Sequence, residues 1–124
     1  MSQPPADQES TTERWDRLYT ALSSEPRRMI LYSLMNEPAE RRLPLPDAAE
    51  SSESSIEQET LSLQLRHRHL PKLAESGYIR WQSDPFCVQR GPYFDEPAAI
   101  LDSVLERSEG LPQSLRADCR VLQD

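Results

Sequence analysis

Glycine is scarce in this chain, lysine occurs once, cysteine twice, and aromatic residues make up 6%. Each shortage excludes something. Cys87 and Cys119 lie far apart with no CxxC or Cys/His spacing around them, which argues against a zinc ribbon and against a disulfide framework. Both read as small apolar residues in or near a core. No apolar run approaches the roughly 18 residues of a membrane span, and the start MSQPPADQES has neither a basic n-region nor an apolar h-region. The expectation is a soluble, cytoplasmic protein with no membrane partner. A nucleophile elbow, a glycine-rich phosphate loop and a metal triad are all missing, so no enzyme and no cofactor are expected.

What is present is acid, proline and arginine. A length of 124 residues suits one domain that buries roughly two thirds of its unfolded surface. Eleven prolines and a hydrophobic fraction of 36% predict short helices with punctuated ends. The net charge of -7 is unevenly spread: residues 1–60 balance at -6, residues 61–90 at +3 and residues 91–124 at -4. The only positive window is LSLQLRHRHLPKLAESGYIRWQ and the strand after it. A DNA footprint can be local, so an acidic total does not exclude one, although acidic flanks repel phosphate.

Residues 1–10 are polar and proline-bearing and are expected to form a disordered tail. Ser10 and Glu13 fit a capping box that opens a helix with Trp15, Leu18, Tyr19 and Leu22 as its apolar stripe. Ser23 and Ser24 can cap a second helix, with Pro26 in its first turn and Met29, Ile30, Leu34 and Met35 toward the core. Leu43 to Leu45 reads as a short extended piece, Pro46 to Glu50 as a brief helix, and the serine- and glutamate-rich stretch after it as a solvated turn. A long helix then begins between Ser54 and Glu57. Ile56, Leu63, Leu70 and Ala74 share one face with His67 beside them, and Leu61 and Leu65 lie opposite, near Arg68, His69 and Lys72. Pro71 removes a donor inside this helix and predicts a bend or restart near Arg66 to His69. Gly77 is a left-handed cap, and Tyr78 to Trp81 and Phe86 to Arg90 form a hairpin. A last helix opens at Asp95 or Glu96 with Pro97 and carries a seam of Ile100, Leu101, Val104 and Leu105; one more turn is expected around Leu115.

This order of elements is that of a winged helix-turn-helix, a mainly α (α+β) fold with a two-stranded wing and an additional C-terminal helix. HLPKLAESGYI at 69–79 resembles the recognition-helix end of arsenic-resistance-repressor (ArsR) type regulators. ALSSEPRRMILYSLM at 21–35 is similar to that superfamily's second helix, and LxHxHLPKL in an acid-rich chain resembles small haloarchaeal winged-helix proteins of largely unassigned function. The resemblance covers roughly residues 12–92. It implies a winged-helix domain over 11–92, followed by a C-terminal helix and tail over 93–124 as a dimerisation element. The chain departs from the metal-sensing members, having no Cys or His in residues 40–60, and from the wider pattern at Pro71, where lysine is usual.

The resemblance and the basic window together imply a transcriptional regulator that binds double-stranded DNA as a homodimer. The candidates on the recognition helix are Arg66, Arg68, His69 and Lys72; those for wing and phosphate are Arg80, Arg90, Arg27 and Arg28. For Arg27 and Arg28 solvated surface is the first reading, and a phosphate clamp at the edge of a DNA site the second. The seam of Ile100, Leu101, Val104 and Leu105 either packs back or pairs with a second copy, and these four residues are the candidate dimer interface. His67 and His69 point about 200° apart on a helix and cannot chelate one ion, so no metal site is assigned; His67 reads as a satisfied, partly buried histidine. Trp81 reads as core cover rather than as a base-stacking platform. The alternative is a winged-helix module that holds a protein partner and does not bind DNA. Thirteen arginines to one lysine in an acid-rich chain match the composition of extreme halophiles. Removing molar KCl is therefore expected to lower the midpoint of thermal unfolding followed by circular dichroism; an unchanged midpoint in dilute buffer refutes that origin.

Overall fold

The computed structural model describes residues 10–50 and 57–116. The expected N-terminal tail, the serine-rich turn with Ile56, and Cys119 lie outside the described residues, apart from Ser10. Helix α1 spans Thr11–Leu22 and begins as a capping box: the Ser10 hydroxyl accepts from the Glu13 amide at 3.2 Å, and the Glu13 carboxylate accepts from the Ser10 amide at 3.3 Å. Its buried residues are Leu18 and Ala21. Trp15 and Tyr19, expected in the core, are instead 41% and 67% exposed, with ring centroids 5.8 Å apart. The buried face of α1 is set by Leu18 and Ala21, and the aromatic flank faces outward.

Helix α2, Glu25–Met35, is capped by the Ser24 hydroxyl, which accepts from the Arg27 amide, and has Pro26 in its first turn. It buries Ile30, Leu31 and Leu34, while Met29 and Met35 are half-buried. The extended piece is strand β1, Leu43–Pro44, and the brief helix after it is a 3-10 turn, Asp47–Ala49, whose Ala48 and Ala49 are buried.

The long helix runs from Gln58 to Glu75 in three parts: α3 (Gln58–Gln64), a π-turn (Leu65–His69) and α4 (Leu70–Glu75). The Leu70 amide bonds to the Leu65 carbonyl, five residues back. A straight α-helix would drive the Pro71 ring into the carbonyl of residue 67 and leave that acceptor without its donor. The wider π-turn relieves this and absorbs one extra residue. Phase shifts accordingly, and the core stripe becomes Leu61, Leu65, His69, Leu70 and Leu73, with Leu63 and His67 outside. Of the straight-wheel face, Leu70 is buried and Ala74 packs against the core, whereas Leu63 is corrected, as is the placing of His67 inside.

The helix ends at Gly77, whose φ of +78° is the left-handed conformation that suits glycine. The Tyr78 amide bonds to the Leu73 carbonyl and the Gly77 amide to the Ala74 carbonyl, a Schellman ending with Leu73 and Tyr78 buried. Strands β2 (Ile79–Ser83) and β3 (Phe86–Arg90) pair antiparallel. β1 pairs with the other side of β3, Leu43 opposite Val88, so the expected two-stranded wing is part of a three-stranded sheet ordered β1-β3-β2.

Helix α5, Asp95–Glu106, packs on α1 and α2, and Arg14 forms an ion pair with Glu96 that ties α1 to its start. Phe94 and Leu101 join Leu18, Ile30, Leu65, Leu73 and Val88 in one core. A 3-10 turn, Ser108–Gly110, and a short α6, Gln113–Arg116, close the described chain; Leu115 is exposed. The fold is mainly helical with a small antiparallel sheet. No described helix is long and apolar enough to cross a membrane.

Gly91 is the tightest crossing. A Cβ there would sit 2.5 Å from the Gly77 carbonyl oxygen and 2.7 Å from the Ile79 nitrogen, both backbone atoms that cannot rotate away. Gly91→Ala is expected to cost about 2 kcal/mol or more in urea unfolding. Gly110, with no atom within 4 Å of its would-be Cβ, should change by less than about 0.5 kcal/mol when replaced by alanine.

Candidate nucleic-acid interface

The eight basic candidates divide into two groups. Four of them are spent inside the fold. Arg27, 6% exposed, donates from Nη2 to the Thr20 carbonyl and the Ser23 hydroxyl, from Nε to the Ala21 carbonyl, and from Nη1 to His69 Nδ1 at 2.8 Å. Arg28 donates to the Leu22 carbonyl at 2.7 Å and pairs with Glu25 at 3.0 Å. The last three carbonyls of α1 therefore end on two guanidiniums from the next helix. This satisfies acceptors that a helix leaves open and places positive charge at the negative end of its dipole. Arg27 is thereby withdrawn from phosphate, contrary to its reading as a clamp or as solvated surface.

His69 is 3% exposed, and burial, reinforced by Arg27 and then Arg68, lowers its pKa to about 4. The ring is neutral at pH 7. Because Nδ1 accepts from a guanidinium, which has no acceptor to offer, the proton sits on Nε2. Burial likewise lowers the pKa of Arg27, with the charges of Arg68 and Arg28 adding to it. A buried, neutral His69 makes no groove contact, so its expected place among the DNA-reading residues is corrected.

Arg90 is the fourth. Its guanidinium donates to the Leu34 carbonyl at 3.0 Å and the Glu37 carbonyl at 2.9 Å, and its Cζ lies 4.7 Å from the centre of the Phe94 ring. It closes the C-terminal end of α2 in the way Arg27 and Arg28 close α1.

Arg66, Arg68, Lys72 and Arg80 remain toward solvent. Arg68, Lys72 and Arg80 are exposed, and Arg66 is half-buried with its Cζ 3.8 Å from the centre of the Phe86 ring. Phe86 in turn meets Trp81 edge to face at 6.3 Å, and both lie against the core, as expected of Trp81. The arginine stacked on Phe86 links the π-turn to the sheet and keeps its edge donors free. Among the described residues none of these four cations has a carboxylate partner. Arg68 lies near enough to His69 and Arg27 to disfavour the charged form of each. Lys72 differs in its surroundings: it shares a groove of about 420 Å³ between α1 and α4 with Arg17, Asp16 and Glu75.

The dimer candidates also divide. Leu101 is buried and Ile100 packs against the same core, whereas Val104 and Leu105 are half-buried. The residues of α5 nearest its start are therefore occupied within the chain. Trp15 and Tyr19 form an exposed apolar surface although their helical spacing points to the core, and Arg42, exposed before β1, is a further cation that no motif marks. Among the described residues no group of three or more His, Cys, Asp or Glu is gathered to hold a metal ion. Cys87 is buried and unpaired. Compared with protein-family models, curated proteins and solved structures, the chain gives no significant match.

The Arg27–His69 bond makes a pH signature. Since the folded state depresses the His69 pKa below its ordinary 6.5, its contribution is complete above about pH 6.5 and is lost as pH falls toward 4. In His69→Gln the amide oxygen can accept from Arg27 at every pH. Urea midpoints measured at pH 7, 5 and 4 should show the wild type losing stability relative to this variant as pH falls; a constant difference contradicts the assignment.

Proposed function

We propose that this chain is a DNA-binding transcriptional regulator of the winged helix-turn-helix class, with no metal sensing and no catalytic activity. The observation that carries this reading is the set of cations left after internal needs are met: Arg66, Arg68, Lys72 and Arg80, on one helix and the strand it leads into, each without a carboxylate partner among the described residues of a chain of net charge -7. An exposed helix face can enter the major groove, with Arg68 and Lys72 toward base edges or phosphates; Arg66, oriented by Phe86, and Arg80 serve the flanking backbone. Two copies would present two such helices to half-sites about one turn apart.

A second reading, a winged-helix module that holds a protein partner, is favoured by the exposed Trp15–Tyr19 pair on α1, since large aromatics at the surface are a common anchor for protein contacts. The experiment that separates the two is fluorescence anisotropy with genomic duplex fragments over a range of KCl. Each phosphate contact adds about 0.9 to the slope of log K against log salt, so Arg68→Ala/Lys72→Ala should weaken binding and flatten that slope by up to about 1.8. Identical curves for wild type and variant refute the site, and no binding by the wild type at any salt leaves the partner reading. Sedimentation at tens of micromolar checks the homodimer, which a monomer would remove.

A further inference from the structure

Side chains alternate between the two faces of a sheet. Ile79, Trp81 and Val88 face the core, so Arg80, Gln82, Cys87 and Gln89 belong to the outer face. Arg80 is directly opposite Gln89 in the β2–β3 pairing. On the other side of β3, Leu43 is opposite Val88, which brings the preceding residue, Arg42, beside Gln89; its Nε donates to Gln89 Oε1 at 3.0 Å. Arg42, Gln89 and Arg80 thus form one row across the sheet. With strands about 4.8 Å apart, the two arginine stems start about 10 Å from each other with the glutamine between them.

The row consists of donors. Gln89 gives its acceptor oxygen to Arg42, which leaves the amide NH2, the Arg42 Nη groups and the whole Arg80 guanidinium to donate. Neither arginine has a carboxylate partner among the described residues, although the chain holds 21 acids. The cleft they border, lined by Arg42, Arg80, Gln82, Cys87 and Gln89 among others, contains no Asp or Glu and has a volume of about 160 Å³. At about 30 Å³ for each water, that is room for a small oxyanion and part of its hydration.

We propose that this outer sheet face is a binding site for a phosphate group. Two guanidinium forks on opposite sides of an amide offer hydrogen bonds from three directions, which suits the tetrahedral oxygens of phosphate better than a planar carboxylate with two. The site shares Arg80 with the DNA reading but does not depend on it: Arg42 and Gln89 lie outside the recognition helix, and the ligand is either a backbone phosphodiester or a free phosphorylated small molecule.

The test is NMR of the full chain at constant ionic strength, following the arginine Nε–H signals of Arg42 and Arg80 and the Gln89 side-chain amide during titration with inorganic phosphate. The three signals should follow one saturable curve, with affinity reduced at least about fivefold in Arg42→Gln and in Arg80→Gln, a loss of about 1 kcal/mol, and unchanged in Arg68→Ala/Lys72→Ala. Shifts that do not saturate, or curves that the Arg42 and Arg80 substitutions leave alone, overturn the proposal. A second titration with duplex DNA distinguishes the sources. If DNA moves the same signals at lower concentration and phosphate competes, the site holds DNA backbone; if only inorganic phosphate moves them, it holds a free phosphorylated compound. Because the first titration contains no DNA, failure of the regulator reading leaves its outcome intact.

Discussion

Pro71 has no amide hydrogen, and most of the candidate interface depends on how the helix accommodates it. A proline in mid-helix normally costs about 3 kcal/mol through a lost bond and a clash one turn back. Here the chain inserts a π-turn at Leu65–His69 and continues as α4 to Glu75. The extra residue rotates everything beyond it by about one residue's share of a turn. That rotation carries His69 inward to meet Arg27 and seats Leu70 and Leu73 in the core, while Lys72 faces solvent. Without the turn, the stripe set by Leu61 and Leu65 would run out before reaching Gly77. The link from sequence to packing passes through a single missing hydrogen.

Glycine shortage and arginine use are two sides of one solution. Helices commonly end on a left-handed glycine that lets the next amides turn back to the open carbonyls. With three glycines in the chain, only α4 ends that way, at Gly77. The carbonyls of α1 are met by Arg27 and Arg28, and those of α2 by Arg90. A guanidinium suits this task because its fork reaches several carbonyls at once and stays charged when partly buried, which a lysine ammonium does less well. The arginine-rich, lysine-poor composition therefore has a local structural use as well as an effect on surface charge.

Signals that act over three or four residues were legible in the sequence. The Ser10–Glu13 box, Ser24 with Pro26, Gly77 and the hairpin at 79–90 all stand where the residues indicated. The π-turn also occupies the stretch that Pro71 pointed to. What escaped was phase and long-range pairing. His67 and His69 exchanged places because a straight wheel cannot contain an inserted residue. The helical spacing of Trp15 and Tyr19 with Leu18 and Leu22 points them to the core, whereas α1 buries Leu18 and Ala21, and the smallness of Ala21 carries no periodic signal. Arg27 and Arg90 look like any exposed arginine until the carbonyls of Thr20, Ala21 and Leu34 are placed beside them. The seam on α5 was legible as apolar, but the pattern alone did not choose between packing back and pairing, and Leu101 faces its own core.

The same accounting explains how an acidic chain can offer a positive surface. Charge acts at a distance only where salt allows it: the Debye length is about 8 Å at physiological ionic strength and about 3 Å at 1 M. At low salt the acidic flanks would reach across the molecule and oppose an incoming phosphate. At molar salt they act only on what touches them, and net charge ceases to decide. Phosphate binding as proposed would then rest on contact geometry, which favours Arg66, Arg68 and Arg80, each without a carboxylate partner among the described residues, over Lys72, whose groove also holds Asp16 and Glu75. On that reading the attraction is concentrated in a few guanidiniums that are stacked or hydrogen-bonded in place. That is consistent with Arg66 being held against Phe86 and Arg42 against Gln89, since each is oriented before any ligand arrives.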